Sequence, residues 1–559
     1  MKKILLSCAT MLCALSMSAG DFPFTPVSVM EADIATNYLF TLSDGTTVVV
    51  WSQPNHGQQH TELMGWNNIQ TFMRSYDKEG NCINPDGQPV LISGDHATKS
   101  WIEVQTRQAM VDKDDNIIVS VNDCRNVEDE PGFAPGNMGF SLYKLDKYGN
   151  MLWDEPVDLH RGLCGHDVCF DITQLADGSY VVAWCTFSDE LELYGLQGPS
   201  YIMMERVSKD GKLMWDEAKY WQKEDADHMY CYLTDGLDNE FNVITLEGSG
   251  QFMTVRRYDF DGEPVWTKDC VINYGEFGSS PAWTHITVEP DGNGGTYATW
   301  HDFTFDPNFD VAKIAHIDRD GKHVYNSGIG GTRVTYLVED DFAVRSHNPR
   351  HIADPETGVA YVLHEVFDAG QSYHGLVMQK VDARGNLLWG SEGSMFQFPE
   401  IRSVNTYCIS VDNEKNPVAF YLEYYGVVVD SEDDYGLYIE KLNPEDGEPI
   451  WEERVKIPTD PNYPYMSDLR VSPMIDNSYW MVSFTAKPTP SITSSTPSLF
   501  VMQVYNDGTA RVVNVVEDFD NDAPAEYFNI NGMSVSGDNL TPGLYIKRQG
   551  SKTTKFFAK

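Results

Sequence analysis

Two dipeptides set an imidazole beside a carboxylate: His301-Asp302 in TYATWHDF and His364-Glu365 in AYVLHEV. Such a pair is the minimum equipment for proton transfer, one group taking a proton and the other returning it. Each closes a run of β-branched and aromatic residues, so each ends a strand, and the two strands hold equivalent places in neighbouring repeats. They can act as acid and base; lining a polar funnel asks less of them and is the preferred reading. His285 and His351 fall on innermost strands near the mouth of the same funnel. Trp66, Trp283 and Tyr424 offer flat faces for stacking, and Arg125 and Arg345 offer charged contacts; ordinary loop packing competes for each. These eleven positions form the expected ligand-binding set, and none is assigned a catalytic role.

Other chemistries find less support. Ten of the fourteen histidines, His56, His60, His96, His160, His166, His228, His301, His347, His364 and His374, map to one set of long connections. No metal is expected among them. VDKDDN, residues 111–116, alternates oxygen ligands as calcium loops do. It lacks their distant bidentate Glu and stands where a strand turn is due, so turn chemistry is expected. VSKDGKLMW, residues 207–215, has the wrong spacing for the Asp box of sialidases. No serine elbow, phosphate loop or paired-cysteine site occurs, and no cofactor is expected.

Positioning falls to a repeat. In eight segments an apolar strand enters a tight turn ending in glycine: Gly80, Gly149, Gly211, Gly262, Gly321, Gly385, Gly447 and Gly508. In six, an aromatic follows four residues on: Trp153, Trp215, Trp266, Tyr325, Trp389 and Trp451. Successive glycines are 51 to 69 residues apart. Upstream of each lies another strand pair about a second turn, as in ITQLADGSYVVAWC. An acidic residue opens the turn by accepting backbone N–H groups, and glycine takes the positive φ. Four strands per period, eight times over, predict an all-β, eight-bladed β-propeller of four-stranded blades across residues 37–517, followed by a small C-terminal β module. The aromatic is expected to fill the wedge between blades. Residues 21–36 are expected to lead in as a closing strand, and 518–524 to form an acidic linker.

KVDARGNLLW and KLNPEDGEPIW resemble the tryptophan-docking repeat of eight-bladed quinoprotein dehydrogenases and related outer-membrane assembly propellers. The resemblance covers roughly ten residues per blade and implies their blade packing. The family's adjacent cysteine pair is absent and its turn acid usually stands one residue further from glycine, so the quinone is not carried over.

Residues 1–20, MKKILLSCATMLCALSMSAG, read as a secretory signal peptide: a basic pair, an apolar run and small residues suited to cleavage. No later stretch is apolar for long enough to span a membrane as a helix. The eight remaining cysteines permit bridges without selecting a pairing, and Cys185 in VVAWC is read as a buried small hydrophobe in preference to a bridge. The formal charge is −43; the leader carries +2 and residues 525–559 carry +3, leaving −48 on residues 21–524. An acidic body of this kind repels nucleic acid and anionic lipid. The basic tail EYFNINGMSVSGDNLTPGLYIKRQGSKTTKFFAK resembles the sorting domain of type IX secretion. The matching residues are Tyr527, Asn531, Gly532, Val535, Leu540, Gly543, Leu544, Tyr545, Ile546, Lys552 and Lys555. The resemblance implies passage through the periplasm, recognition by type IX export machinery and delivery to the outer surface or medium.

The turns within strand pairs are short and glycine-marked, whereas the second-to-third loops and the links between blades are long. Function is therefore expected on the long-loop face. The expectation is a non-enzymatic, exported scaffold binding a glycan or protein partner there. A polysaccharide lyase or glycoside hydrolase working in the funnel, and an envelope assembly scaffold, are the alternatives.

Overall fold

A computed structural model describes residues 28–29, 37–54, 69–93, 100–101, 109–123, 138–164, 170–187, 200–222, 229–247, 252–274, 279–281, 286–304, 311–336, 338–339, 342–343, 345–367, 375–396, 402–425, 435–488, 498–508, 510–512, 525–529, 534–536, 543–549 and 552–558. Eight antiparallel sheets follow one another along the chain, each with its strands in sequence order, and together they make an eight-bladed propeller. Among the described residues the single helical element is one 3-10 turn, Pro85–Gly87, and no helix is long and apolar enough to cross a membrane. In blades 2 and 5 the innermost strand comes in two pieces: Ser100–Trp101 with Ala109–Val111, and Ser279–Pro281 with Thr287–Pro290.

The core is a chain of seams between blades. Val48, Val50 and Met73 of blade 1 pack with Ile117 and Val119 of blade 2, while Val418 and Phe420 of blade 7 pack with Trp480 and Val482 of blade 8. The circuit closes where Val49 and Trp51 of blade 1 meet Met481 and Val501 of blade 8. Strand alternation accounts for this: both faces of a blade meet neighbours, so inner strands carry near-continuous apolar runs such as VVVW and VVAW.

The repeated turn has the expected chemistry. Asp382 Oδ1 accepts from the backbone N–H of Arg384 and Asn386, each at 2.8 Å, and Gly385 sits at φ +84°. VDKDDN is a different turn, joining the first strand of blade 2 to the second, and it uses the same device. Asp112 Oδ1 accepts from the N–H of Asp114 and Asn116, and Asp112 Oδ2 accepts from Tyr180 OH at 2.6 Å. That carboxylate is fully engaged by the protein.

The turn glycine has a second role. A Cβ on Gly211 would lie 2.8 Å from the Trp153 ring of the preceding blade, and one on Gly447 would lie 2.7 Å from Trp389. Gly262 faces Trp215, Gly321 faces Trp266 and Gly385 faces Tyr325 in the same way. Each indole N–H donates to a turn carbonyl beside that glycine, Trp153 to Lys209 O at 2.9 Å and Trp389 to Pro444 O at 3.3 Å. The expected wedge filling is thus a directional ladder across blades 2 to 6, each of these five rings resting on the next blade, while Gly508 of blade 8 faces Val455 instead of Trp451.

Blade 8 meets blade 1 through Asn37. Its Nδ2 donates to Asp468 Oδ2 at 2.6 Å, Ser483 Oγ donates to its Oδ1 at 2.6 Å, and Arg470 Nε donates to its carbonyl at 3.2 Å. Ser28–Val29 adds antiparallel to the outer side of Ser498–Tyr505 in blade 8. Residues 525–558 contribute a separate four-stranded sheet, in the order Ser534–Val535, Ala525–Asn529, Gly543–Gln549, Lys552–Ala558.

Candidate functional site

Counting back from the conserved geometry of each third-to-fourth turn places side chains in common columns. Trp300 pairs with Lys313 and His364 with Val377, each partner five residues before its turn. His364 therefore shares a column with Trp300, and His301 with Glu365. The two dipeptides lie on equivalent strands but are offset by one residue. Because strand side chains alternate, one histidine faces the next blade and the other faces the opposite way.

His364 occupies the position held by Trp51, Trp184 and Trp300 in blades 1, 3 and 5, and by Tyr421 and Phe484 in blades 7 and 8. It is fully buried, neither ring nitrogen has a hydrogen-bond partner, and burial pulls its pKa down to about 3. It is a neutral core residue. Asp302 is equally committed: Oδ1 accepts from Trp300 Nε1 at 2.8 Å and Asn273 Nδ2 at 3.0 Å, and Oδ2 pairs with Lys313. Neither His301-Asp302 nor His364-Glu365 works as a side-by-side acid and base pair.

Three blades converge instead on Asn348. The innermost strand of blade 6, Arg345–Ala353, slips register between His347 and Arg350, and Asn348 takes φ +52° at that bulge. Asparagine tolerates this left-handed conformation better than most side chains. From here its backbone N–H donates to His301 Nδ1 of blade 5 at 3.2 Å and its Nδ2 donates to Glu365 Oε2 at 3.1 Å. Its carbonyl accepts from Tyr407 OH of blade 7. His301, accepting at Nδ1, carries its proton at Nε2 when neutral. Its ring stacks on His347, centroids 4.7 Å apart, and His347 also meets Phe367 at 4.7 Å.

Glu365 is the unusual group here. Burial pushes its carboxyl up to about 7, against the lowering influence of the Asn348 amide and the Arg350 charge. Burial also raises the Tyr407 phenol well above its ordinary value, so Tyr407 serves as a donor, not a base. The grouping can hold a proton on the Glu365 carboxyl near neutrality, as general acid chemistry requires.

His351 lies one layer deeper, its Nδ1 3.1 Å from Thr299 Oγ1. Arg345 and Tyr424 are placed in strands, opposite Phe367 and Ser403. Trp66, Arg125, Trp283 and His285 lie outside the described residues, as do most of the long connections. Asn348, Arg350 and Tyr407 were missed by sequence reasoning; an Asn-Pro step inside the strand RSHNPRHIA was the available signal. Among the described residues no group of three or more His, Cys, Asp or Glu is arranged to hold a metal ion.

No family profile matches the chain, and no curated protein matches it. Several solved structures are similar. A Dyadobacter fermentans DSM 18053 protein of unknown function gives a TM-score of 0.34 at 11% identity, covering 62% of this chain and 95% of that one. A PL25 ulvan lyase gives 0.41 at 8% identity, covering 87% and 96%. A Pyrococcus horikoshii acylaminoacyl peptidase gives 0.38 at 10%, covering 82% and 58%.

Proposed function

We propose that the chain is an exported recognition propeller that binds a glycan or protein partner on its long-loop face. The observation that carries this reading is the contrast between the faces. The first-to-second and third-to-fourth connections are tight, and they are laced together from blade to blade. Lys147 reaches Asp44 at 2.6 Å, Lys415 reaches Asp354 at 3.1 Å and Lys78 reaches Asp476 at 2.8 Å. A face sealed by its own ion pairs leaves the opposite one, with its long connections, to meet ligands. The leader and the type IX-like tail support export to the outer surface or medium, with the export machinery as a second partner.

The raised Glu365 carboxyl beside His301 and His347 favours one second reading, a lyase or hydrolase acting on a polysaccharide at the channel mouth. A glycan array with the mature chain, followed by an assay for reducing-end release on every hit, separates the two. Binding without product supports recognition. Product that disappears in Glu365→Gln, with binding retained, supports the enzyme. Absence of any glycan hit leaves the protein partner.

A further inference from the structure

We infer that Cys185 and Cys231 form a disulfide that staples blade 3 to blade 4 when the chain folds under oxidising conditions. Cys185 lies on the second strand of blade 3, Tyr180–Phe187, and Cys231 on the innermost strand of blade 4, Met229–Asp235. Their Sγ atoms are 3.8 Å apart, with the residues 3% and 0% exposed. Counted from the turns, Cys185 stands in the column of His301 and Glu365, and Cys231 in that of Tyr407. Blades 5 and 6 bridge the equivalent seam with the hydrogen bond from Asn348 to His301.

Between blades 3 and 4 the surroundings are apolar, with both sulfurs in one cluster alongside Phe170, Trp184 and Leu233. The backbone is already held nearby, because Leu233 N–H donates to Asp171 Oδ2 at 2.7 Å across the same seam. A disulfide needs its sulfurs about 2 Å apart, so side-chain rotation has to bring them closer than the observed 3.8 Å.

In the closed ring neither sulfur is open to an oxidant, so the bond forms while blades 3 and 4 are still separating and docking. The thiolate of one cysteine attacks a donor disulfide, either oxidised glutathione or an oxidoreductase, and one donor sulfur leaves as thiolate. The second cysteine, deprotonated, then attacks the mixed disulfide and releases the other donor sulfur. Two electrons and two protons pass to the donor, and one S–S bond has moved.

The native occurrence of this bond rests on the export reading; its geometry does not. The full mature chain is refolded in a glutathione redox couple, unfolded in N-ethylmaleimide, digested and mapped by mass spectrometry. The expected result is the Cys185 and Cys231 peptides joined, two hydrogens lighter than their sum and parted by reductant. The guanidinium midpoint of oxidised protein should also exceed that of reduced protein, by a margin that shrinks in Cys231→Ala. Maleimide on both cysteines of cooperatively folding, glutathione-treated protein overturns the inference. A bond present after refolding but missing from protein isolated from the producing cell overturns export and leaves the pairing standing.

Discussion

His364→Leu isolates a single buried imidazole. With no hydrogen-bond partner and a pKa near 3, His364 stays neutral in the fold while its unfolded counterpart takes a proton near 6.5. Above that value neither state is charged, and the residue adds no pH dependence. As pH falls below it, only the unfolded chain binds the proton, so stability drops by about 1.4 kcal/mol per pH unit until the folded imidazole also protonates. Between pH 6.5 and 4.5 the loss is about 3 kcal/mol. Leucine has similar volume, suits a column that holds Trp, Tyr and Phe elsewhere, and leaves no polar atom unmet. Urea unfolding at pH 7.5 and 4.5, analysed by linear extrapolation, is the assay. The variant should lie within about 1 kcal/mol of the parent at pH 7.5 and exceed it by about 3 kcal/mol at pH 4.5. An equal difference at both pH values, or a loss above about 2 kcal/mol at pH 7.5, would refute the neutral-core account.

Glu365→Gln should behave in the opposite sense. The folded carboxyl holds its proton to about 7 and the unfolded one to about 4.5, so the stability it supports below 4.5 is lost as pH rises through 7. The glutamine variant should gain about 3 kcal/mol at pH 8 and nothing at pH 4 in the same urea assay. Trp389→Ala empties the wedge above Gly447 and should cost about 3–5 kcal/mol by denaturant unfolding, with Tyr325→Ala comparable. Arg454→Met leaves Glu423, whose side chain is fully buried, without its ion-pair partner. That should cost about 3–5 kcal/mol, and adding Glu423→Gln should recover most of it.

Much of the ring was written in the spacing. The turn glycines marked eight blades, and the aromatic four residues on marked the rung that blades 2 to 6 lend to their neighbours, because both depend on local rules: a positive φ and a flat side chain. The offset between His301 and His364 was equally available, by counting back from the turn acids Asp318 and Asp382 instead of matching His-acid dipeptides. What stayed hidden was the bulge at Asn348 and its counterpart at Asp468, φ +53°. Neither is glycine, and the reward for the conformation comes from other blades: His301 and Tyr407 in one case, Asn37 in the other. Cross-blade bonds of this kind link residues tens to hundreds of positions apart, beyond any local pattern. Cys185 shows the same limit, since its burial was readable and the sulfur opposite it was not.

The Asn37 junction also sets an order of manufacture. Chains are made from the N-terminus, so blade 1 emerges with its flank bare and must wait for the last blade, more than four hundred residues later, to cover it. Until that moment every intermediate is an open arc with two unsatisfied ends, ready to pair with another arc. A protein built this way has reason to be carried unfinished by chaperones, and truncations that remove blade 8 should leave not a smaller ring but an adhesive fragment.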